Sequence, residues 1–221
     1  ADEETLPDIN DFSIAVLQNN NVQLTWNRYA DFTDGTEIAA GNYTLKATYG
    51  NIETQGFEAP YYEGAKEFSI KKNESTNISV ICYLANVKVT TEYTELFKKY
   101  FTDYTVNIRP AGSTDISFDK NETRAAYVKP GKISIYLSGS KQQGNKVTFE
   151  AATIENAKAR QHYRLKFDVQ AGGTELDVSF TDETERVPIT IDISDDALNT
   201  QPPFFTPTGF ESGVARELTE W

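Results

Sequence analysis

Apolar and polar residues alternate with a period of two along much of this chain. In the segment GNYTLKATYGN, Tyr43, Leu45, Ala47 and Tyr49 fall on one face, and polar residues separate them. This pattern is typical of a strand with one buried face. We therefore expect both tyrosines to pack into a core, while the intervening polar side chains stay in water.

The same alternation occurs twice before this segment. Apolar residues recur at positions 12, 14 and 16 and again at 22, 24 and 26, and the residues QNNN separate the two runs. An asparagine-rich break between alternating runs predicts a β-hairpin. Shorter runs of the same kind predict further strands at 66–72, 104–110, 115–118 and 131–139.

Three alternating runs follow one another towards the end of the chain, at 162–170, 176–180 and 187–194. Strands that pair in succession form an antiparallel meander with one face in water, and we expect that arrangement here. Pro188 favours an edge position for the last strand, because proline has no amide hydrogen to donate to a neighbour.

The segment ISVICYLANVKVTTEY, residues 78–93, is apolar on both faces in its first half. Val80 and Cys82 share one face, whereas Ile81 and Tyr83 make the other face apolar as well. A strand of this kind is usually central in a sheet or passes between two cores. We place a domain boundary here, near residues 84–86.

One segment has helical spacing instead. Between residues 90 and 104, apolar residues stand at 96, 97, 100 and 101. Glu92 and Glu95 would occupy the first turn and Lys98 and Lys99 the last, which suits the helix dipole. This segment predicts the single helix of the chain.

These patterns predict an all-β protein with one short helix, in two antiparallel β-sandwich domains. We assign residues 11–85 to the first sandwich and 86–195 to the second, with an acidic leader at 1–10 and a proline-rich tail at 196–221. The prolines around Phe204 and Phe205 impose an extended path on the tail. It is interpreted as a linker or an arm packed on the second domain, the alternative being a strand donated to a neighbouring subunit.

Charge and composition exclude several classes of partner. The net charge is −12, with 21 basic and 33 acidic residues, and no basic stripe is present for a nucleic acid or an anionic membrane surface. The longest apolar stretch, at 78–87, is far shorter than the roughly 20 residues that span a bilayer. The chain contains no methionine, so we expect that Ala1 follows a removed signal segment and that the protein is secreted.

Catalytic residues are scarce in the sequence. His162 is the single histidine and alternates onto a charged strand face, and Cys82, the single cysteine, lies in the most apolar segment, where a buried inert thiol is expected. The acidic segment at 31–37 does not match a calcium-binding loop and is interpreted as an Asp-Gly turn. The sequence predicts no enzyme activity, no metal and no cofactor.

Aromatic residues in loops are the remaining candidates for ligand binding. Tyr61 and Tyr62 lie between a proline and a glycine, and Trp26 and Tyr29 flank another connection. Exposed aromatic rings stack on sugars, and loops at the end of a sandwich carry binding sites. Trp26 is in phase with the preceding strand and is expected in the core. Tyr61, Tyr62 and Tyr29 remain weak candidates.

Three segments carry a family resemblance: GNYTLKATYGN, then APYYEGAKEFSI, then VICYLANVKV leading into the helix. They resemble a family of secreted lipoproteins of unknown function from gut Bacteroidales, which is similar to the fimbrillin-like pilus and adhesin proteins. The resemblance implies two transthyretin-like sandwiches, a lipid anchor on a cysteine upstream of these residues, and a role at the outer membrane or cell surface. It brings no catalytic residues.

We therefore expect a non-enzymatic surface protein that mediates adhesion or pilus-like assembly. Its partners would be other cell-surface proteins or glycans, and its contact with a membrane would run only through the removed N-terminal anchor. The alternative is a carbohydrate-binding module that captures surface glycans through Tyr61 and Tyr62.

Overall fold

A computed structural model describes residues 6–32, 38–72, 78–141 and 146–169, and the backbone of 176–184, 189–193 and 204–205. Strands form nearly all of the regular structure in these residues, which confirms the all-β prediction. In chain order they are β1 (Ser13–Gln18), β2 (Asn21–Trp26), β3 (Ile38–Ala39), β4 (Gly41–Tyr49), β5 (Gly56–Phe57), β6 (Tyr62–Ile70), β7 (Ile78–Leu84), β8 (Val87–Tyr93), β9 (Phe101–Pro110), β10 (Ile116–Asp119), β11 (Ala126–Val128), β12 (Gly131–Lys141), β13 (Lys146–Ala157), β14 (Gln161–Val169), β15 (Leu176–Thr184), β16 (Ile189–Ile193) and β17 (Phe204–Phe205).

The chain divides into two compact units, each assembled from separate stretches of sequence. The first consists of Ala1–Tyr49, Tyr62–Tyr83 and Val187–Trp221, and the second of Gly50–Tyr61 and Leu84–Arg186. This division differs from two consecutive domains, because the chain enters the second unit after Tyr49 and returns to the first at Tyr62.

The first unit contains a six-stranded sheet in the order β16-β7-β6-β4-β1-β2. β1 and β2 form the expected antiparallel hairpin. β4 buries Tyr43, Leu45 and Ala47, as its alternation predicts, and Tyr49 packs its ring 5.4 Å from that of Phe12. β2 lies at the edge of the sheet, so Val22 on this strand is 58% exposed.

Two strands of this sheet approach each other closely at a glycine. A β-carbon on Gly64 of β6 would stand 2.2 Å from the carbonyl oxygen of Ile81 on β7. Ile81 itself is 47% exposed, because β7 buries only the face that carries Val80 and Cys82. β7 nevertheless has a neighbour on each side in the sheet, β16 and β6, as expected of a strand with apolar residues on both faces.

The second unit has two sheets, β10-β9-β12-β13 and β15-β14-β8-β11-β5, and both contribute to one buried core. β12 supplies Ile133, Ile135 and Leu137, while β14 supplies Leu165 and Phe167. β8 and β14 pair in parallel, an exception among the described strand pairs. The 12-residue strand β13 was not recognised in the sequence, because its burial does not follow a strict alternation.

The helix α1 (Glu95–Tyr100) is shorter than predicted. Glu92 lies in β8 and not in the helix, and Phe101 begins β9. Thr94 caps the helix: its hydroxyl oxygen accepts a hydrogen bond from the amide of Phe97 at 3.2 Å. The same hydroxyl donates to a carboxylate oxygen of Asp168 at 2.6 Å. These contacts end the strand and start the helix at Thr94.

The predicted meander is wrong in its last step. β14 and β15 form an antiparallel hairpin, but β16 pairs with β7 in the sheet of the first unit. Periodicity identified the strand and its edge position, whereas its partner depends on long-range pairing that alternation does not encode.

The tail also differs from its interpretation. Phe204–Phe205 pairs in antiparallel fashion with Ile38–Ala39 of the first unit, and not with the second. The rest of the tail and residues 1–5 of the leader lie outside the described residues.

A buried amide marks the predicted boundary near residues 84–86. Asn86 is 1% exposed; its side chain donates to the carbonyl oxygen of Ala59 at 3.0 Å and accepts from the amide of Tyr61 at 3.3 Å. Its own carbonyl oxygen accepts from the amide of Arg160 at 3.0 Å. Asn86 thus connects two remote segments of the second unit, residues 59–61 and the turn at Arg160.

Replacing Asn86 by alanine tests this connection. In Asn86→Ala, two buried backbone groups lose their partner, and each such loss costs about 1–3 kcal/mol. We expect the free energy of unfolding in urea to fall by about 2 kcal/mol or more. The control Asn121→Ala, at an exposed turn of the same unit, should change it by less than about 0.5 kcal/mol. Equal stability of the two variants would contradict this role.

Candidate functional site

Two of the three tyrosines predicted to bind a ligand lie in the core of the first unit. Tyr29 is 4% exposed, and its amide donates to the carbonyl oxygen of Phe12 at 2.6 Å. Tyr62 is 2% exposed, and its ring centroid lies 6.4 Å from that of Phe12. Neither ring offers a face to a sugar, because the segment read as a loop already begins β6 at Tyr62.

Tyr61 is half-buried and belongs to the second unit. Its carbonyl oxygen accepts from the amide of Ala85 at 2.7 Å, and its amide donates to Asn86. The structure therefore does not bring Tyr61, Tyr62 and Tyr29 together as an exposed aromatic platform. Trp26, expected in the core, is half-buried with its ring 4.1 Å from that of Phe32.

The single cysteine and the single histidine of the chain both contact residues of the strands around them. Cys82 is fully buried, and burial, with a smaller contribution from the charge of Glu63, raises the pKa of its thiol to about 12. The Nε2 atom of His162 lies 2.8 Å from the hydroxyl of Thr90 on the neighbouring strand. Cys82 is a residue of β7 and His162 a residue of β14, and the contacts of both side chains are with residues of other strands.

The most perturbed carboxylate pairs with an arginine. Arg124 donates to both carboxylate oxygens of Glu122, at 3.0 and 2.8 Å, and to Glu58 at 3.0 Å. These hydrogen bonds lower the pKa of Glu122 to about 2. A general acid needs the opposite shift, so this cluster has the electrostatics of a surface ion-pair network.

Within the described part of the chain, no three His, Cys, Asp or Glu residues stand together as a metal site would require. Most of the acidic segment at 31–37 lies outside the described residues. Among those same described residues, the chain has no helix with both the length and the apolar character needed to cross a bilayer.

A groove that the sequence did not reveal lies on the first unit, at the end of the sheet where β1 turns into β2. Its volume is about 460 Å³, within the range of small-molecule sites. Its polar lining consists of Asn19, Asn20, Asn42, Thr44, Glu67 and Ser69, and Leu17, Tyr43 and Phe68 complete it.

Three neighbouring strands position this lining. In the cross-strand register, Leu17 of β1 lies opposite Thr44 of β4, and Thr44 lies opposite Glu67 of β6. Thr44 and Glu67 belong to the polar alternation of their strands, and Leu17 is an apolar residue on the less buried face of β1. The alternation was visible in the sequence, but the order β6-β4-β1 that joins the three residues was not.

A family model described as a domain of unknown function (DUF4493) matches residues 1–195. No curated protein matches the chain.

Three of the solved structures to which the chain is similar come from Bacteroides, and each of the three is described as a "putative cell adhesion protein". The protein from Bacteroides uniformis superposes with a TM-score of 0.53 at 13% identity, covering 83% of this chain and 94% of its own. The one from Bacteroides eggerthii gives 0.42 at 11% identity, with coverages of 80% and 89%. The one from Bacteroides fragilis gives 0.35 at 9%, with 83% and 87%.

The burial of Cys82 predicts slow thiol chemistry in the folded chain. A thiol with a pKa of about 12 is almost entirely protonated at pH 8, and only the thiolate attacks a disulfide reagent. We expect the folded chain to react with Ellman's reagent at least about a hundredfold more slowly than the chain in guanidinium chloride. Because Cys82 is the single cysteine, equal rates would show directly that the thiol is accessible.

Proposed function

The chain belongs to the DUF4493 family of domains of unknown function, and we propose that it is a non-enzymatic cell-surface protein that acts in adhesion or in a pilus-like assembly. The observation that carries this proposal is the fold shared with the Bacteroides uniformis protein over most of both chains. At 13% identity the likeness concerns the fold alone, and the adhesive role is our extension from it.

The surroundings of the reactive side chains support the non-enzymatic part of the proposal. Cys82 is buried among core residues, and His162 contacts a threonine hydroxyl. Glu122 and Asp115 pair with Arg124 and Arg109, respectively, and the pKa of each carboxyl group is lowered. Groups tuned for general acid or base catalysis would show shifts towards neutrality.

Two further parts of the proposal, the type of sandwich and the membrane anchor, rest on the family resemblance of the sequence. We propose that each unit is a transthyretin-like sandwich and that the mature chain is held at the outer membrane through an upstream lipidated cysteine. The net charge of −12 favours a protein or glycan partner over a nucleic acid, since phosphate backbones are bound by clustered Lys and Arg.

Limited proteolysis of intact cells tests the location on which this function depends. Trypsin added outside the cells should release peptides of this chain, because a surface protein exposes its lysines and arginines to the medium. The measurement is mass spectrometry of the supernatant, with a cytoplasmic enzyme of the same cells as the control. Peptides that appear only after lysis would contradict the proposal.

A deletion strain tests the role itself. Cells that lack the gene should adhere less to an immobilised layer of host glycoprotein than the parent, and expression of the full chain should restore adhesion. Unchanged adhesion, assembly and pilus content would exclude the proposed role even if the chain is at the surface.

A further inference from the structure

We infer that the groove on the six-stranded sheet binds a neutral saccharide. The inference deepens the proposed adhesive function, on which its biological role rests, by naming the chemical class of the ligand. It does not involve the tyrosines that the sequence indicated. It depends on the geometry of the floor, the orientation of one amide, the turn at the rim and the charge of the lining.

The floor of the groove is a rigid surface. Thr44 and Glu67 lie opposite each other on the hydrogen-bonded strands β4 and β6, and Asn42 lies opposite Ser69 two residues further along. Directly opposed residues hold their β-carbons about 5 Å apart. Four polar side chains therefore stand in two adjacent rows on one sheet face, so that one ligand can contact several of them.

One amide in these rows is oriented by its neighbour. The hydroxyl of Ser69 donates to the Oδ1 atom of Asn42 at 2.6 Å. In this pair Ser69 is the donor and Oδ1 of Asn42 the acceptor, which orients the Asn42 side chain, and its Nδ2 group can only donate. The groove thus presents an oriented amide donor beside the carboxylate acceptor of Glu67, and hydroxyl groups can serve both.

The rim is the two-residue turn between β1 and β2. Asn19 and Asn20 have φ angles of 50° and 63°, in the left-handed region that asparagine tolerates better than other residues with a β-carbon. Glycine would adopt these φ angles at least as easily as asparagine, so the turn alone does not require asparagine. The two asparagines add amide donors and acceptors to the groove that glycine would not supply.

The lining distinguishes between classes of ligand. Among the described residues that line the groove there is no lysine or arginine, and the single charged group is the carboxylate of Glu67, so phosphorylated or acidic ligands would meet repulsion. An apolar ligand would remove the amides and hydroxyls from water without replacing their hydrogen bonds. A neutral molecule rich in hydroxyls satisfies both conditions, and a volume of about 460 Å³ suits a short saccharide.

The test uses the full chain and a panel of neutral disaccharides built from hexoses and N-acetylhexosamines, with sialyllactose as the anionic probe. Binding is followed by backbone amide shifts in ¹⁵N NMR spectra as the disaccharide is added. The sugar concentration is raised far enough to detect a Kd of about 1 mM. We expect at least one neutral disaccharide to shift the amides of residues 19, 42, 44 and 67, and sialyllactose to bind more weakly.

Matched variants distinguish binding in the groove from binding elsewhere on the sheet. Thr44→Val with Glu67→Gln removes a hydroxyl and a charge from the groove. Thr48→Val with Glu63→Gln makes the same changes in another opposed pair of the same two strands, outside the groove. The groove pair should weaken binding at least about tenfold, and the control pair less than about twofold.

A third variant distinguishes loss of binding from loss of folding. Asn20→Gly preserves or improves the hairpin turn, because Asn-Gly is a favoured sequence for this turn type, yet it removes one rim amide. It should keep the unfolding midpoint and weaken binding.

The outcomes also separate this inference from the proposed function. No shifts with any neutral disaccharide, or equal loss of binding in the groove and control pairs, would overturn the saccharide site even if cells still adhere through the chain. A chain that binds sugar in the groove but is found only inside cells would support the site and overturn the surface role.

Discussion

The buried amide of Asn86 is the constraint on which the chain path depends. The chain leaves the first unit after β4, passes through Gly50–Tyr61 in the second unit, and returns as β6. The side chain of Asn86 forms hydrogen bonds with the backbone of Ala59 and Tyr61 in that segment. Its carbonyl oxygen accepts a hydrogen bond from the amide of Arg160. In a buried setting these groups have no water to replace the amide, so the connection is specific as well as stabilising.

The same path creates the candidate site. β4 and β6, which the segment Gly50–Tyr61 separates in sequence, pair as antiparallel neighbours in a register that places Thr44 opposite Glu67. β1 adds its turn asparagines at the edge of the same surface. A polar surface built on paired strands can hold hydrogen-bonding groups in place without the entropy cost of ordering a loop.

Local pattern predicted local structure well in this chain. The faces of β4 and β14 follow their alternation, the QNNN break is a two-residue turn, and the passage from one core to the other occurs near Asn86. The errors are of two kinds. Tyr62 was placed in a loop because Pro60 and Gly64 flank it, although Gly64 is required inside the strand by the close approach of Ile81.

The other errors concern partners distant in sequence. β16 has the alternation of a meander strand but pairs with β7, and β14 pairs in parallel with β8. The groove escaped notice for the same reason, since its residues come from three strands whose order is a tertiary property. Alternation specifies which face a side chain takes, whereas the identity of the neighbouring strand depends on contacts across the whole chain.

A crystal structure of the full chain grown with a bound neutral disaccharide would test the central claim most directly. Our account predicts the sugar in the groove, with its hydroxyls within hydrogen-bond distance of Asn42, Thr44 or Glu67 and with the positions of the strands unchanged. A sugar stacked on Tyr61 or bound elsewhere, with the groove empty at saturating concentration, would contradict it.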